Sequence, residues 1–199
     1  ATTEPTTEPT TEPTTEPTTV PTEPFVSSTA SVGVTGDILV HGPLIEAAKQ
    51  NDGTYDFNNL YTYIQDYYND VDFMIANLEV TLGGEAAGKY QGYPTFNCPD
   101  SMIDALKNAG VDVLQMANSC AINNGLIGLR STLQAVHDAG LEPLGAYSSN
   151  EDFQRSKGYT MCEANGIRIA FVAFTKGMSG MGLPAGSENC VNLLYEDYD

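Results

Sequence analysis

The chain has 199 residues, 41% of them hydrophobic, and sets 26 acidic residues against 8 basic ones for a formal net charge of −18 at pH 7. That balance excludes a basic nucleic-acid footprint and a polybasic patch on anionic lipid, because both work through clustered Lys and Arg. No stretch reaches the roughly 18 consecutive apolar residues of a membrane span, and the first residues have neither the basic start nor the apolar run of a signal peptide.

The chain opens on four copies of Thr-Thr-Glu-Pro over residues 2–17, followed by a degenerate copy, TTVPTEP, over 18–24. No apolar residue larger than Ala precedes Val20, so nothing there offsets the entropy lost on ordering. A proline in every repeat fixes φ and removes a backbone donor. The pattern predicts a disordered, extended linker over 1–24, of the Thr/Pro-rich kind that forms stalks carrying O-linked sugar. A single folded domain is expected over 25–199, its order beginning between residues 25 and 31.

Residues 31–40 (SVGVTGDILV) read as a strand ending in Gly36-Asp37. Residues 43–50 read as a helix with Pro43 in first position. An aromatic-rich helix over 60–68 and an apolar strand over 71–78 follow, then a Gly-rich loop over 83–92. Residues 99–109 form a helix closed by Gly110, with Asn97 as its cap or Asp100 in its first turn. A strand over 111–117 precedes a helix over 125–139, in which Leu126, Leu129, Leu133 and Val136 recur at helical spacing. A short strand over 141–146 leads to two strands, 159–164 and 167–175, joined by Asn165-Gly166, a strong two-residue hairpin signal. This order predicts a layered α/β domain whose helices pack on a largely parallel sheet.

Chemistry in such sheets gathers at the carboxyl ends of the strands. Three strand ends carry polar residues straight after apolar runs: Asp37 with His41 four residues on, Asn77 and Glu79, and Asn118-Ser119-Cys120 followed by Asn123-Asn124. Carboxylate, imidazole, amide and thiol converging from separate strands is how a metal site is assembled. Each residue alone also has a bland reading, as a turn former or a solvated side chain. His137, beside Asp138, reads as lying on a solvated helix face. Cys98, Cys120, Cys162 and Cys190 show no C-x-x-C spacing, which excludes a zinc ribbon. They allow three full pairings, among which the sequence does not choose, and free buried thiols are the other reading.

The segments GDILVHGP, YDF, NLEVTL, GYPTFNCPD, ALKNAGVDVL, ANSCAINNG, TLQAVHDAGLEPLGAY and GIRIAFVAFTKGMSG, in this order and spacing, resemble the CapA-type capsule-synthesis (poly-γ-glutamate) family of the calcineurin-like metallophosphatases. The resemblance runs from about residue 32 to the end. It implies a partial or shortened α/β sandwich of metallophosphatase type, export, and a place outside the cell or attached to its envelope. It further implies a role in making, releasing or retaining an anionic cell-surface polymer, with that polymer or the capsule-synthesis machinery as partner. By position it implies a metal set of Asp37, His41, Glu79, Asn118 and Cys120 for divalent ions such as Mn, Zn, Mg or Ca. Against the family pattern A-N-N-H-x-x-D-x-G, this chain has Ser119 for the second Asn, Cys120 for the His and Asn123 for the Asp. Members of the family continue with further His-containing motifs, whereas this chain holds only His41 and His137, and so it reads as a fragment or a shortened member. Two functions stay open: a metal-dependent phosphoesterase-like hydrolase, and a non-catalytic surface module that keeps the fold and binds polymer or partners.

Overall fold

The computed structural model describes residues 27–194. The linker expected over 1–24 lies outside them. Four strands, β1 (Val32–Ile38), β2 (Phe73–Leu78), β3 (Val113–Gln115) and β4 (Glu142–Leu144), form one sheet in the order β1-β2-β3-β4. All three pairings are parallel. Helices α1 (Gly42–Ala48), α2 (Gln65–Tyr68), α3 (Ser101–Ala109) and α4 (Gly125–Asp138) occupy the crossovers. A helix α5 (Asn150–Ser156) then leads to an antiparallel hairpin of β5 (Thr160–Ala164) and β6 (Ile167–Phe171). The mixed α/β architecture expected from the sequence is the one observed.

Side chains alternate across each strand, so the sheet has two faces. Ala76, Leu78, Leu114 and Met116 point to one of them, and pack in a single core with Ile45 of α1, Met102 and Leu106 of α3, and Leu129, Leu133 and Val136 of α4. Ile75, Val113 and Leu144 point to the other, where Cys162 of β5 and Phe171 of β6 cover them. The hairpin turns at Asn165-Gly166, where φ is 54° and 78°. Two successive left-handed residues give the turn whose twist matches the strands, and Asn and Gly tolerate that conformation best.

Three local expectations are revised. The helix predicted over 60–68 is reduced to a 3₁₀ turn (Asn58–Leu60) and the four-residue α2. Its apolar residues do not form one stripe: Tyr61 and Tyr68 are buried, while Tyr63 and Tyr67 are 91% and 76% exposed. The segment is therefore pinned at two points instead of along a face. Asn97 does not cap α3; its Oδ1 accepts from Gly83 N at 2.9 Å and its Nδ2 donates to Gly84 O at 3.0 Å. It stitches the Gly-rich loop together, and Asp100 holds the cap position without a side-chain bond. Helix α5 is an addition to the predicted elements. Ser149 Oγ accepts from Asp152 N at 3.2 Å, a capped N-terminus with Glu151 and Asp152 in the first turn. It buries no residue fully, so it leaves no hydrophobic period to read. All four cysteines are free and buried.

Candidate functional site

The carboxyl ends of β1, β2 and β3 bring polar side chains to one place. A bulge in β1 sets this up. Val34 pairs with Ile75, but the next matched pair is Asp37 with Asn77, so β1 spends one residue more than β2 between them. In unbroken register Asp37 would fall level with Leu78, a residue of the helix-side core. The extra residue turns its carboxylate to the opposite face, beside Asn77.

Asn77 is the hub. Its Nδ2 donates to Asp37 Oδ1 at 2.7 Å and, more weakly, to Glu79 Oε2 at 3.5 Å. Its Oδ1 accepts from Asn118 Nδ2 at 2.9 Å. Asn118 is buried and fully engaged: Nδ2 also donates to Leu78 O at 2.8 Å, and Oδ1 accepts from Cys120 N at 3.1 Å. Ser119 Oγ donates to the other Glu79 oxygen, Oε1, at 2.7 Å. Two carboxylates from neighbouring strand ends are thus held by amides and a hydroxyl. Ser179, on the loop after β6, closes over the site with its Oγ donating to Ser119 O at 3.1 Å.

The electrostatics follow from this crowding. Partial burial raises the Glu79 carboxyl above the ordinary carboxylate range, and the neighbouring Asp37 adds to the rise, while the Ser119 hydrogen bond opposes it. Burial likewise pushes the Cys120 thiol up, with Glu79 and Asp37 adding to the effect against the Ser119 contact. The thiol lies 3.7 Å from Ser119 Oγ.

Of the residues singled out from sequence, Asp37, Glu79, Asn118, Ser119 and Cys120 meet here. His41 caps the start of α1, and its ring packs edge-on against Phe96 at 5.2 Å. Asn123 accepts from Phe96 N at 3.2 Å, and Asn124 donates to Thr81 Oγ1 and Phe96 O, so both brace the loop that carries Phe96. His137 is exposed near the end of α4. Sequence reading passed over Gln115 and Ser179, and placed Asn77 only as part of a strand end. The alternation of β3 marks Gln115 as a polar residue among apolar ones; nothing local marks Ser179.

Whether these residues suit a divalent ion is a question of donor chemistry. Among the described residues no group of three or more His, Cys, Asp or Glu side chains is gathered for a metal, so neither His41 nor Cys120 completes such a group with Asp37 and Glu79. Around the two carboxylates stand the Ser119 hydroxyl and the Asn77 NH2, both donating to them, while the Asn77 oxygen is taken by Asn118; on the next strand Gln115 Oε1 is buried without a partner. Two neighbouring carboxylates offer hard oxygen ligands, which fit a cation such as Mg, Mn or Ca rather than a soft one. A protonated, buried thiol does not fit as a zinc thiolate.

Comparison with known proteins identifies the family of the chain. Over 145 residues the chain is 26% identical to the capsule biosynthesis protein CapA of Bacillus anthracis, covering 71% of this chain and 34% of that protein. Over 168 residues it is 25% identical to the PGA biosynthesis protein CapA of Bacillus subtilis strain 168, covering 84% of this chain and 42% of that protein. The chain thus spans less than half the length of these relatives. The model of the bacterial capsule synthesis protein family PGA_cap matches residues 31–193, nearly the whole described region, and the chain belongs to that family.

Proposed function

We propose that this chain serves the synthesis or attachment of poly-γ-glutamate or a related anionic polymer at the cell surface, through a divalent cation held by Asp37 and Glu79. The observation that carries the reading is the placement of these two carboxylates at adjacent strand ends, tied through Asn77, with the Glu79 carboxyl raised by burial and by Asp37. Membership of the capsule family and the name of the Bacillus subtilis relative support the polymer class. An outside or envelope-attached location follows from the same reading. Among the described residues no helix is long and apolar enough to cross a membrane.

A bound cation would supply Lewis-acid polarisation of a phosphoryl or carbonyl oxygen, or a bridge between the acidic protein and an acidic polymer. The chain's own residues hold and aim the carboxylates. Asn77 fixes Asp37, Ser119 fixes Glu79, and Asn118 fixes Asn77. A second reading, a binding module without catalysis, is favoured by Cys120. It stands where the family pattern has an imidazole, and its raised thiol is a poor proton donor or acceptor near neutral pH.

Calorimetric titration with Mn²⁺, Mg²⁺ and Ca²⁺ tests the site. Asp37→Asn and Glu79→Gln should each weaken binding by about 10- to 100-fold, the scale on which loss of even outer-shell partners acts. Unchanged affinity in both variants would overturn the assignment. Hydrolysis of an aryl phosphate by the cation-loaded chain separates the readings: turnover favours the hydrolase, and binding without turnover favours the module.

A further inference from the structure

With 26 acidic residues against 8 basic ones, the chain as a whole repels an acidic polymer, so direct capture needs a place where the sign is locally reversed. Such a place lies between the turn that follows α1 and the Gly-rich loop. A cavity of about 520 Å³ is lined there by Lys49 and Tyr55 from the turn and by Glu85, Lys89 and Tyr90 from the loop. That volume is within the ordinary range of ligand sites. Two of the eight basic residues thus meet at one cavity. Among the described residues neither ammonium group has an ion-pair or hydrogen-bond partner. The acids of the turn are engaged locally: Asp52 accepts from Thr54 N at 2.9 Å and Thr54 Oγ1 at 2.7 Å, and Asp56 accepts from Asn58 N at 2.9 Å and Asn58 Nδ2 at 2.7 Å. Glu85 is the one carboxylate in the lining, so two positive charges face one negative.

Both walls are held by the protein itself. Lys49 is bridged to Tyr55 across a turn closed by Gln50 N on Thr54 O at 2.8 Å and Gly53 N on Gln50 O at 3.0 Å. Asn97, 1% exposed, donates through Nδ2 to Gly84 O at 3.0 Å and to Gly88 O and Lys89 O at 3.3 Å, which fixes the backbone that carries Lys89. The rings of Tyr55 and Tyr90 meet edge to face at 5.3 Å and join the two walls. Among the described residues nothing hydrogen-bonds their hydroxyls. A site set in advance loses less to ordering when a ligand binds.

The lining selects the ligand. Lysines act as point charges toward single carboxylates, and the forked arginine that favours phosphate is not among the lining residues. Tyrosine rings pack methylenes and offer a hydroxyl to amide oxygens. A γ-linked glutamate chain carries all three groups: a carboxylate on every unit, methylenes in its main chain, and an amide at each joint. We infer that this cavity binds a strand of that polymer, with Lys49 and Lys89 taking carboxylates and Tyr55 and Tyr90 the main chain between them. The inference rests on the polymer class proposed above and is independent of the cation at Asp37 and Glu79.

Titration calorimetry with a short γ-linked glutamate oligomer, at low salt with EDTA, keeps the cation out of the measurement. Its α-linked isomer and inorganic phosphate are the comparisons. Lys49→Gln and Lys89→Gln should each weaken binding about 3- to 10-fold, the scale of one partly exposed ion pair, and added salt should weaken it in wild type. Glu85→Gln should tighten it. All three variants should melt with wild type, because none of these side chains has a partner to lose among the described residues. Wild-type affinity in the double variant Lys49→Gln, Lys89→Gln overturns the site. Phosphate or the α-linked isomer binding as tightly as the γ-linked oligomer overturns the ligand. Oligomer binding that needs Mn²⁺ and is lost in Asp37→Asn puts the polymer at the cation, which overturns this site and leaves the cation reading standing. No oligomer binding with or without Mn²⁺ overturns the polymer reading together with this site.

Discussion

The two faces of the parallel sheet are built on different terms. The helix face joins α1, α3, α4 and the strands in one continuous apolar cluster in which Leu106, Leu114 and Leu129 have no exposure at all. The hairpin face has a cluster of four buried residues, Ile75, Val113, Leu144 and Cys162, and it leaves Val34 of β1 73% exposed although Val34 stands level with Ile75. Toward the strand ends this second face stops being apolar and becomes the row Asp37, Asn77, Gln115. The difference teaches a division of labour. One face supplies the hydrophobic burial that holds the fold; the other is thinly covered, and the polar site is placed where burial is least demanded.

The sharpest test of that division is a pair of truncations. Leu106→Ala, on the helix face, should destabilise the chain by about 2–5 kcal/mol, the cost of lost transfer energy plus a cavity in a core that cannot collapse. Ile75→Ala, an equally large truncation on the hairpin face, should cost about 2 kcal/mol, the low end of the same range, because the thinner cover leaves a smaller cavity. Urea unfolding followed by circular dichroism measures both. A hairpin-face loss as large as the helix-face one would end the contrast, because the thinner cover would then be carrying equal weight.

A smaller effect is expected at the site itself. The Glu79 carboxyl is raised in the folded chain above its unfolded value of 4.5. A raised carboxyl binds its proton more tightly when folded, so the stability it contributes is present below the unfolded value and is lost as pH rises through the folded one. Glu79→Gln cannot ionise and keeps an oxygen for Ser119. It should therefore melt above wild type at neutral pH without cations, with the gap closing as the pH falls toward the ordinary carboxylate range. A gap of constant size across that window would mean that Asp37 and burial do not strain Glu79.

How much of this could be read beforehand follows from where the signals lie. The parallel sheet was legible because strands of apolar residues alternate with helices closed by Gly110 and Gly140, and the hairpin because Asn165-Gly166 has few other uses. Asp37, Glu79 and Asn118 were legible as strand-end residues. The bulge that turns Asp37 toward Asn77 was not, because a one-residue slip leaves no mark in a sequence, only in a register. The unpartnered oxygen of Gln115 was hidden for a related reason: it is a property of the assembled face. Helix α5 rests on a cap and an acidic first turn with little burial, so a search for hydrophobic period passed over it.

The smallest predicted effect concerns the ties that hold the hairpin tip to the start of the sheet. Asp72, just before β2, accepts from Ser31 N at 2.7 Å and from Ser31 Oγ at 2.8 Å, and its second oxygen accepts from Asn165 Nδ2 at 3.1 Å. The Ser31 backbone bond, then the Ser31 hydroxyl and the Asn165 amide, lower its carboxyl below the ordinary value of 3.8. The sign is opposite to that at Glu79. A depressed carboxyl stabilises the fold above its unfolded value, and the contribution is lost as pH falls through the folded one. Asp72 is exposed, so the effect should be smaller than that of either truncation. Asp72→Asn turns an amide toward donors that want an acceptor and should lower the melting temperature slightly at neutral pH. The difference should persist through mildly acid conditions and shrink only below the ordinary carboxylate range, as wild type loses its charge. If the hairpin is held chiefly by the apolar contact of Phe73 with Phe171, whose rings lie 6.2 Å apart, Asp72→Asn will melt with wild type at every pH. The polar ties would then be decoration on a face that, thin as it is, still depends on burial.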